Sequence, residues 1–179
     1  TAVPPASDTP LERFARFAAA QSDAARSTGR LAALFAPQSI TGTPERLACR
    51  LQPPAVAIDL DPGRSRLDLA NPPAAAPGLA DALTAIRAAG LRVFWISALP
   101  VSEADRVYAV LRATGLDLDG TDRILLQRKP GESARERLQA AAGDWCFIAL
   151  AGDRPGDFEP ALDYLRDPDG PIARALKVL

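Results

Sequence analysis

Four aspartates follow apolar runs in this sequence, at positions where carboxylates could attack phosphorus or bind a cation. Asp59 and Asp61 stand at the end of AVAIDLD, and Asp153 and Asp157 follow WCFIALAG. One carboxylate of the first pair could act as a nucleophile while its neighbour transfers a proton to the leaving oxygen. Carboxylates that gather at one place repel one another unless a cation neutralises them. The combination therefore favours a hard cation with oxygen ligands.

Each motif has a plainer alternative. The sequence after Asp59, Asp-Pro-Gly, is typical of a solvated turn, and so is the Gly-, Pro- and Asp-rich segment around Asp153 and Asp157. Ser97 ends the apolar run VFWI and could donate a hydrogen bond to a phosphoryl oxygen, although serine is common at strand ends. The order of the whole set favours a site more strongly than any single motif does.

The spacing of apolar residues along the chain predicts the strands and helices that must position these side chains. Strands are predicted over residues 55–60, 91–96, 124–127 and 145–150, and helices over 78–89, 102–114, 132–142 and 160–165. Ser102 and Asp105 resemble a capping box at the start of the second helix. Strands that alternate with helices imply an α/β fold, a three-layer Rossmann-like parallel sheet covered on both faces. Ligands collect at the carboxyl ends of such strands.

The rest of the chain divides by composition. Residues 1–10 are rich in Pro, Ala, Ser and Thr and are predicted to form a flexible tail. Residues 11–54 are predicted to form a helical extension packed on the core, and residues 55–179 the α/β core. In the extension, apolar residues from Leu11 onward recur at helical spacing and predict a first helix, with Ser7 or Asp8 as its cap. Leu31 and Leu34 continue this spacing after Gly29 and predict a second helix, and a short helix is predicted after Pro44.

Composition excludes several classes of function. The chain contains no histidine, which rules out Ser-His-Asp and Cys-His catalysis and histidine-based metal sites. The net charge of −1 gives no general basic field, so duplex nucleic acid is not an expected partner. No apolar run is long enough to predict a membrane span. Cys49 and Cys146 could form one bridge, but two buried apolar thiols are the favoured interpretation.

From residue 55 to residue 158 the ordered motifs resemble the haloacid dehalogenase superfamily, within it the capless acid phosphatases that include the bacterial class B and C enzymes. The first motif is Asp59-Leu60-Asp61, the second ends at Ser97, and the fourth is Gly152-Asp153 with Asp157. The segment GLADALTAIRAAGLRVFWIS is similar to the helix–strand unit before the second motif. DRILLQR, followed by an Arg-rich helix, is similar to the segment before the third.

This resemblance implies a role for each residue. Asp59 would form a phosphoaspartate, and Asp61 would act as general acid and then as base. Asp59, the backbone carbonyl of Asp61 and Asp153 would hold Mg²⁺, with Asp157 in support. The third motif requires a lysine, and Lys129 is the only lysine near it in the sequence. Lys129, an arginine such as Arg128 or Arg135, and no charge clamp at all remain open as alternatives.

Three departures from the family pattern favour a second hypothesis, a catalytically degenerate module that keeps the fold and binds or scaffolds. Gly63 stands where Thr or Val is usual, and Ala98 where the acid phosphatases commonly have Asn. Glu132 is one of the three residues before Arg135, where the lysine is usual.

The short connection after Asp61 leaves no room for a large cap domain, and residues 62–77 are the local lid candidate. An open site favours a large phosphorylated substrate, or closure by another subunit or by the N-terminal helices, so a homo-oligomer could form. The resemblance implies a small phosphorylated substrate, such as a nucleotide. It also favours an exported, periplasmic location over a cytoplasmic one.

Overall fold

The chain folds into alternating strands and helices in the computed structural model, which describes residues 9–24, 30–35, 46–49 and 51–158. In chain order the elements are α1 (Pro10–Ala24), β1 (Arg30–Phe35), β2 (Arg46–Cys49), β3 (Pro54–Asp59), α2 (Leu79–Ala88), β4 (Arg92–Pro100), α3 (Ala104–Ala113), β5 (Arg123–Gln127), α4 (Ala134–Ala141) and β6 (Cys146–Ala151). Short 3-10 turns occupy Val101–Glu103 and Pro155–Asp157.

Four strands form a parallel sheet in the order β5-β4-β3-β6. The inner strands are apolar because helices flank the sheet, and Val56, Ala57 and Val93 have no exposed surface. These features confirm the predicted α/β architecture with a Rossmann-like parallel sheet. Residues 62–78 contain no helix or strand.

Strand β4 differs from its predicted end. It does not stop at Ser97 but runs on to Pro100, which pairs with Gln127 of β5 after an irregularity in the register. Trp95 is in the core, and its Nε1 donates to Asp122 Oδ2 at 2.8 Å. Ser97 therefore lies within the sheet rather than at its margin, and it has no exposed surface.

The starts of α3 and α4 are capped differently from the prediction. The capping box expected at Ser102 and Asp105 is wrong, because a 3-10 turn precedes α3 and no side chain caps the helix. The chain instead has a reciprocal capping box at α4, where Ser133 and Glu136 each accept from the other's backbone N–H. This box fixes where α4 begins, just after β5.

The amino-terminal segment corrects a second prediction. Residues 30–35 and 46–49 form the antiparallel pair β1–β2 and not a second and third helix. A spacing of three over so short a run does not establish a helix, and in the structure residues 32–34 are all buried while Leu31 is half exposed. Helix α1 is present, and it packs on α2 and β6.

Thr9 and Glu12 bond reciprocally at the start of α1, with Thr9 N–H donating to the Glu12 carboxylate at 2.6 Å and Glu12 N–H to Thr9 Oγ1 at 3.2 Å. Thr9 therefore caps this helix. The other predicted caps, Ser7 and Asp8, lie outside the described residues, as do residues 1–8 of the tail predicted over 1–10 and the helix predicted at 160–165.

A disulfide joins Cys49 of β2 to Cys146 at the start of β6, with 5.6 Å between the two Cα atoms. The favoured prediction of two free thiols is therefore wrong. Because β1 packs on β6, the β1–β2 pair is brought beside the sheet, within the Cα separation that a bridge requires. Across the described part of the chain, helix length and apolarity fall short of what a membrane-crossing helix needs.

Candidate functional site

Three of the predicted acidic residues meet at the carboxyl edge of the sheet. Asp59 is the last residue of β3, while Asp153 and Asp157 lie in the loop and 3-10 turn that follow β6. One carboxylate oxygen from each lies within 4.8 Å of the other two. Neighbouring parallel strands bring these residues together although more than ninety positions separate Asp59 from Asp153 along the chain.

The cluster has an unfavourable electrostatic environment. Burial raises the pKa of Asp59 to about 7, and the charges of Asp61, Asp157 and Asp153 add to the rise. The N–H of Asp61, which donates to Asp59 Oδ1 at 3.2 Å, opposes it. Burial also raises the pKa of Asp157, and the charge of Asp153 acts in the same direction. Bringing these carboxylates together in ionised form costs free energy that a cation would offset.

The chemistry of this donor set fits a hard cation. All three side chains offer oxygen, the ligand that Mg²⁺ and Ca²⁺ prefer, and no softer donor belongs to the cluster. Asp153 is exposed, and its Oδ2 accepts the N–H of Gly63 at 2.7 Å. Asp59 and Asp157 are half-buried, so the cluster is open on one side.

The Asp61 side chain is not part of this cluster. Its Oδ1 accepts from Ser97 Oγ at 2.6 Å and from Leu67 N–H at 2.9 Å, while its Oδ2 accepts from Ala98 N–H at 2.6 Å. Three donors therefore hold the carboxylate against β4. Ser97, which was expected to reach a phosphoryl oxygen, donates to Asp61 instead.

Gly63 connects the segment after Asp61 to the loop after β6. Its φ of 57° is in the left-handed region that favours glycine. Its N–H donates to Asp153, and its carbonyl accepts from Arg154 Nη1 at 3.1 Å. The residue by which the first motif departs from the family pattern thus links the two loops that carry the acidic cluster.

Position 152 requires glycine because the side chains of Asp157 and Phe158 lie very close to its backbone. A Cβ added to it would lie 2.6 Å from Asp157 Oδ2 and 3.0 Å from the ring of Phe158. Asp157 is held there by the N–H of Arg154, which donates to Oδ2 at 2.7 Å. Only glycine leaves room for the Asp157 carboxylate in this position.

Lys129, the expected charge clamp, lies outside the cluster. Its side chain is 67% exposed, and its Nζ is 3.4 Å from Glu136 Oε1. Arg128, one of the alternatives, binds the buried carboxylate of Glu132 through its N–H, Nε and Nη2. Arg135 is half-buried on α4.

Arg137, a buried residue of α4, was not among the predicted site residues. It is 5% exposed, its Nη1 donates to the Glu132 carbonyl at 2.6 Å, and its buried Nε has no partner among the described residues. Burial lowers the pKa of this guanidinium, while the charges of Glu132, Asp61 and Asp59 act to raise it. One signal in the sequence indicated that Arg137 would be buried. It is four residues before Ala141, which places both on one face of the helix, and it is next to the buried Leu138.

None of the protein-family models matches this sequence, and no curated protein matches it significantly. Fold and site geometry therefore carry the functional interpretation.

Proposed function

We propose that the protein is a Mg²⁺-dependent phosphomonoesterase of the haloacid dehalogenase superfamily, similar to the capless acid phosphatases. The observation that carries this proposal is the convergence of Asp59, Asp153 and Asp157 within 4.8 Å at the carboxyl edge of a parallel sheet. Ligands of open α/β sheets bind at this edge. Asp59, Asp153 and Asp157 would hold the ion, together with the backbone carbonyl of Asp61.

The reaction divides between two carboxylates. An oxygen of Asp59 attacks phosphorus and forms the phosphoaspartate, while the bond to the leaving oxygen breaks and that oxygen takes a proton from Asp61. Asp61 then takes a proton from water, whose oxygen attacks the phosphoaspartate and releases phosphate and free Asp59. Bound Mg²⁺ would supply charge neutralisation between the anionic nucleophile and the phosphate.

The hydrogen bonds around Asp61 suit such a proton carrier. Ser97 Oγ can donate to the ionised carboxylate or accept from the protonated one, because a hydroxyl rotates. The bonds from Leu67 and Ala98 fix the carboxylate while its charge changes. Residues 62–78 contain no inserted cap domain. The resemblance to the capless acid phosphatases, and not the open edge itself, supports a small phosphorylated substrate such as a nucleotide.

The test is hydrolysis of para-nitrophenyl phosphate with and without Mg²⁺. Wild-type protein should release phosphate only when the metal is present, and Asp59→Asn should reduce the rate by at least about a thousandfold, because a covalent nucleophile is lost. Asp119→Asn is the matched control, since Asp119 is an exposed aspartate on another loop. Equal rates for wild type and Asp59→Asn would refute the assignment.

A second candidate is a degenerate member that binds metal or phosphate without turnover. Two observations favour it. Glu132, a buried carboxylate, lies in the three residues before Arg135, where related phosphatases carry a lysine. The only lysine near this segment, Lys129, is exposed. A rise in melting temperature with Mg²⁺ and beryllium fluoride, without hydrolysis, is the result expected of it. Turnover that depends on Asp59 would reject it.

We also propose that the protein works in an oxidising compartment. The Cys49–Cys146 disulfide supports this, since such bonds persist in secreted and periplasmic proteins and are rare in the cytosol. Blocking free thiols during cell lysis, followed by mass analysis, should find both cysteines unmodified in the native protein. Two alkylated cysteines would place it in a reducing compartment.

A further inference from the structure

A cavity of about 320 Å³ lies beside β5, away from the acidic cluster. The middle of β5 forms one wall, the start of α3 with the turn before it forms a second, and α4 forms a third. None of the lining residues belongs to the acidic cluster. Sites for small molecules occupy roughly 300–1,000 Å³, so the cavity is large enough for a small ligand.

Most of the lining is apolar. Ile124 and Leu125 of β5 are only partly buried, although both pack against the hydrophobic core. Val101, in the turn before α3, is 58% exposed. A ligand that covers these side chains would remove apolar surface from water, and that transfer is favourable. The walls of the cavity therefore favour a ligand with an apolar body.

Two arginines are the exceptions in this lining. Arg128 donates to the Glu132 carboxylate through its N–H, Nε and Nη2, at 2.5 to 2.9 Å. These bonds occupy both oxygens of Glu132 and neutralise Arg128 locally. The pair therefore brings no net charge to the cavity, and the other arginine, Arg137, decides its polarity.

Arg137 is a buried cation that the described part of the chain does not neutralise. It is 5% exposed, and none of the ion pairs between described residues involves it. Its Nη1 donates to the backbone carbonyl of Glu132 at 2.6 Å, while its buried Nε has no partner among these residues. A buried donor without an acceptor costs free energy, more so when it is charged. An anionic group in the cavity would offset that cost.

These properties define the ligand by its chemistry. One unmatched positive charge requires one negative charge, and a planar guanidinium matches the geometry of a carboxylate. A phosphate monoester fits less well, because it carries up to two charges and the apolar walls offer it no further donors. At about 30 Å³ for each water-sized group, the cavity holds about ten non-hydrogen atoms.

We propose that the cavity beside β5 binds a small carboxylate with an apolar body of about eight carbon atoms, whose charged group accepts hydrogen bonds from Arg137. Because Nη1 already donates to Glu132, the carboxylate accepts from Nη2, and from the covered Nε after a small turn of the side chain. The apolar body packs between β5 and α4. Neither a metal ion nor a phosphate takes part, so the inference does not depend on the proposed function.

The experiment is calorimetric titration of the wild-type protein with octanoate, whose size matches this estimate. Octanol has the same apolar body without the charge, and acetate has the charge without the apolar body. Octanoate should bind about tenfold or more tightly than either, since one charge-assisted hydrogen bond is worth roughly that factor. Equal affinities for octanoate and octanol would overturn the proposal, and so would the absence of octanoate binding.

Two variants locate the binding in the cavity. Arg137→Met should weaken octanoate binding about tenfold or more and leave octanol binding nearly unchanged, a difference between ligands that a merely structural role would not produce. Arg112→Met, which removes an exposed arginine from the last turn of α3, is the matched control and should bind octanoate like wild type. Ala141→Phe should weaken the binding of both ligands, because the ring would fill the cavity.

Unchanged octanoate affinity in either Arg137→Met or Ala141→Phe would refute the assignment. If Arg137→Met does not fold, Ala141→Phe and the comparison of ligands on wild type decide the question.

These outcomes separate the inference from the proposed function. Asp59→Asn should bind octanoate like wild type, because Asp59 does not line the cavity. Octanoate binding without phosphate hydrolysis would support the inference and reject the phosphatase. Hydrolysis without octanoate binding would do the reverse.

Discussion

Replacing Asp59 by asparagine should stabilise the metal-free protein, although the same change should abolish turnover. The pKa of Asp59 is raised from an ordinary value of 3.8 to about 7, first by burial and then by neighbouring carboxylates. At about 1.4 kcal/mol for each unit of pKa, ionising this side chain lowers the free energy of unfolding by about 4 kcal/mol. Asparagine removes that cost and keeps an oxygen for the N–H of Asp61, which donates at 3.2 Å.

The pH dependence follows from the sign of the shift. Below about pH 4, Asp59 is protonated in both the folded and the unfolded state, and it costs nothing. Between about pH 4 and about pH 7 only the folded state keeps the proton, so the stability of wild type falls as the pH rises. Above about pH 7 the whole cost is present.

Urea unfolding in EDTA measures this effect. Asp59→Asn should exceed wild type by about 4 kcal/mol at about pH 8 and by about 2 kcal/mol at about pH 5, whereas the exposed Asp119→Asn should match wild type at both. Mg²⁺ should then stabilise wild type and leave Asp59→Asn nearly unchanged. The reasoning fails if Asp59→Asn is no more stable than wild type at the higher pH, or if the difference does not vary with pH.

Two further changes test the surroundings of the cluster. Gly152→Ala should weaken Mg²⁺ binding by about tenfold or more, because the new Cβ would meet Asp157 Oδ2 at 2.6 Å. Gly143→Ala is the control and should bind Mg²⁺ normally, since its Cβ would meet nothing within 4 Å. Equal Mg²⁺ affinities of the two variants by calorimetry would contradict the role of Gly152. Reducing the Cys49–Cys146 bridge should lower the free energy of unfolding by about 3 to 5 kcal/mol, since it closes a span of 97 residues; urea curves with and without dithiothreitol that coincide would argue against this.

The sheet could be predicted from the sequence because its signals are local. Each inner strand is an apolar run bounded by turn residues, and the glycines at 90 and 115 mark where helices end. The meeting of Asp59 with Asp153 also followed, because the carboxyl ends of parallel strands share one edge. The alternation of strands and helices was sufficient for that inference.

The remaining features depend on contacts between distant segments. Residues 30–35 are a strand because they pair with residues 46–49 and pack on β6, which helical spacing within six residues cannot reveal. The disulfide depends on the same packing. Arg137 and Arg135 lie two residues apart on α4, and the packing of the helix decides that Arg137 is buried while Arg135 is half-buried.

The disulfide also changes the covalent topology of the domain. Strands β3, β4 and β5 and the segment after Asp61 all lie within the ring that Cys49 and Cys146 close. A protease that cuts the exposed part of residues 62–78 would therefore yield a nicked protein whose two pieces stay joined until a reductant is added. The acidic cluster, with Asp59 on one side of such a nick and Asp153 on the other, would keep both of its strands in one molecule.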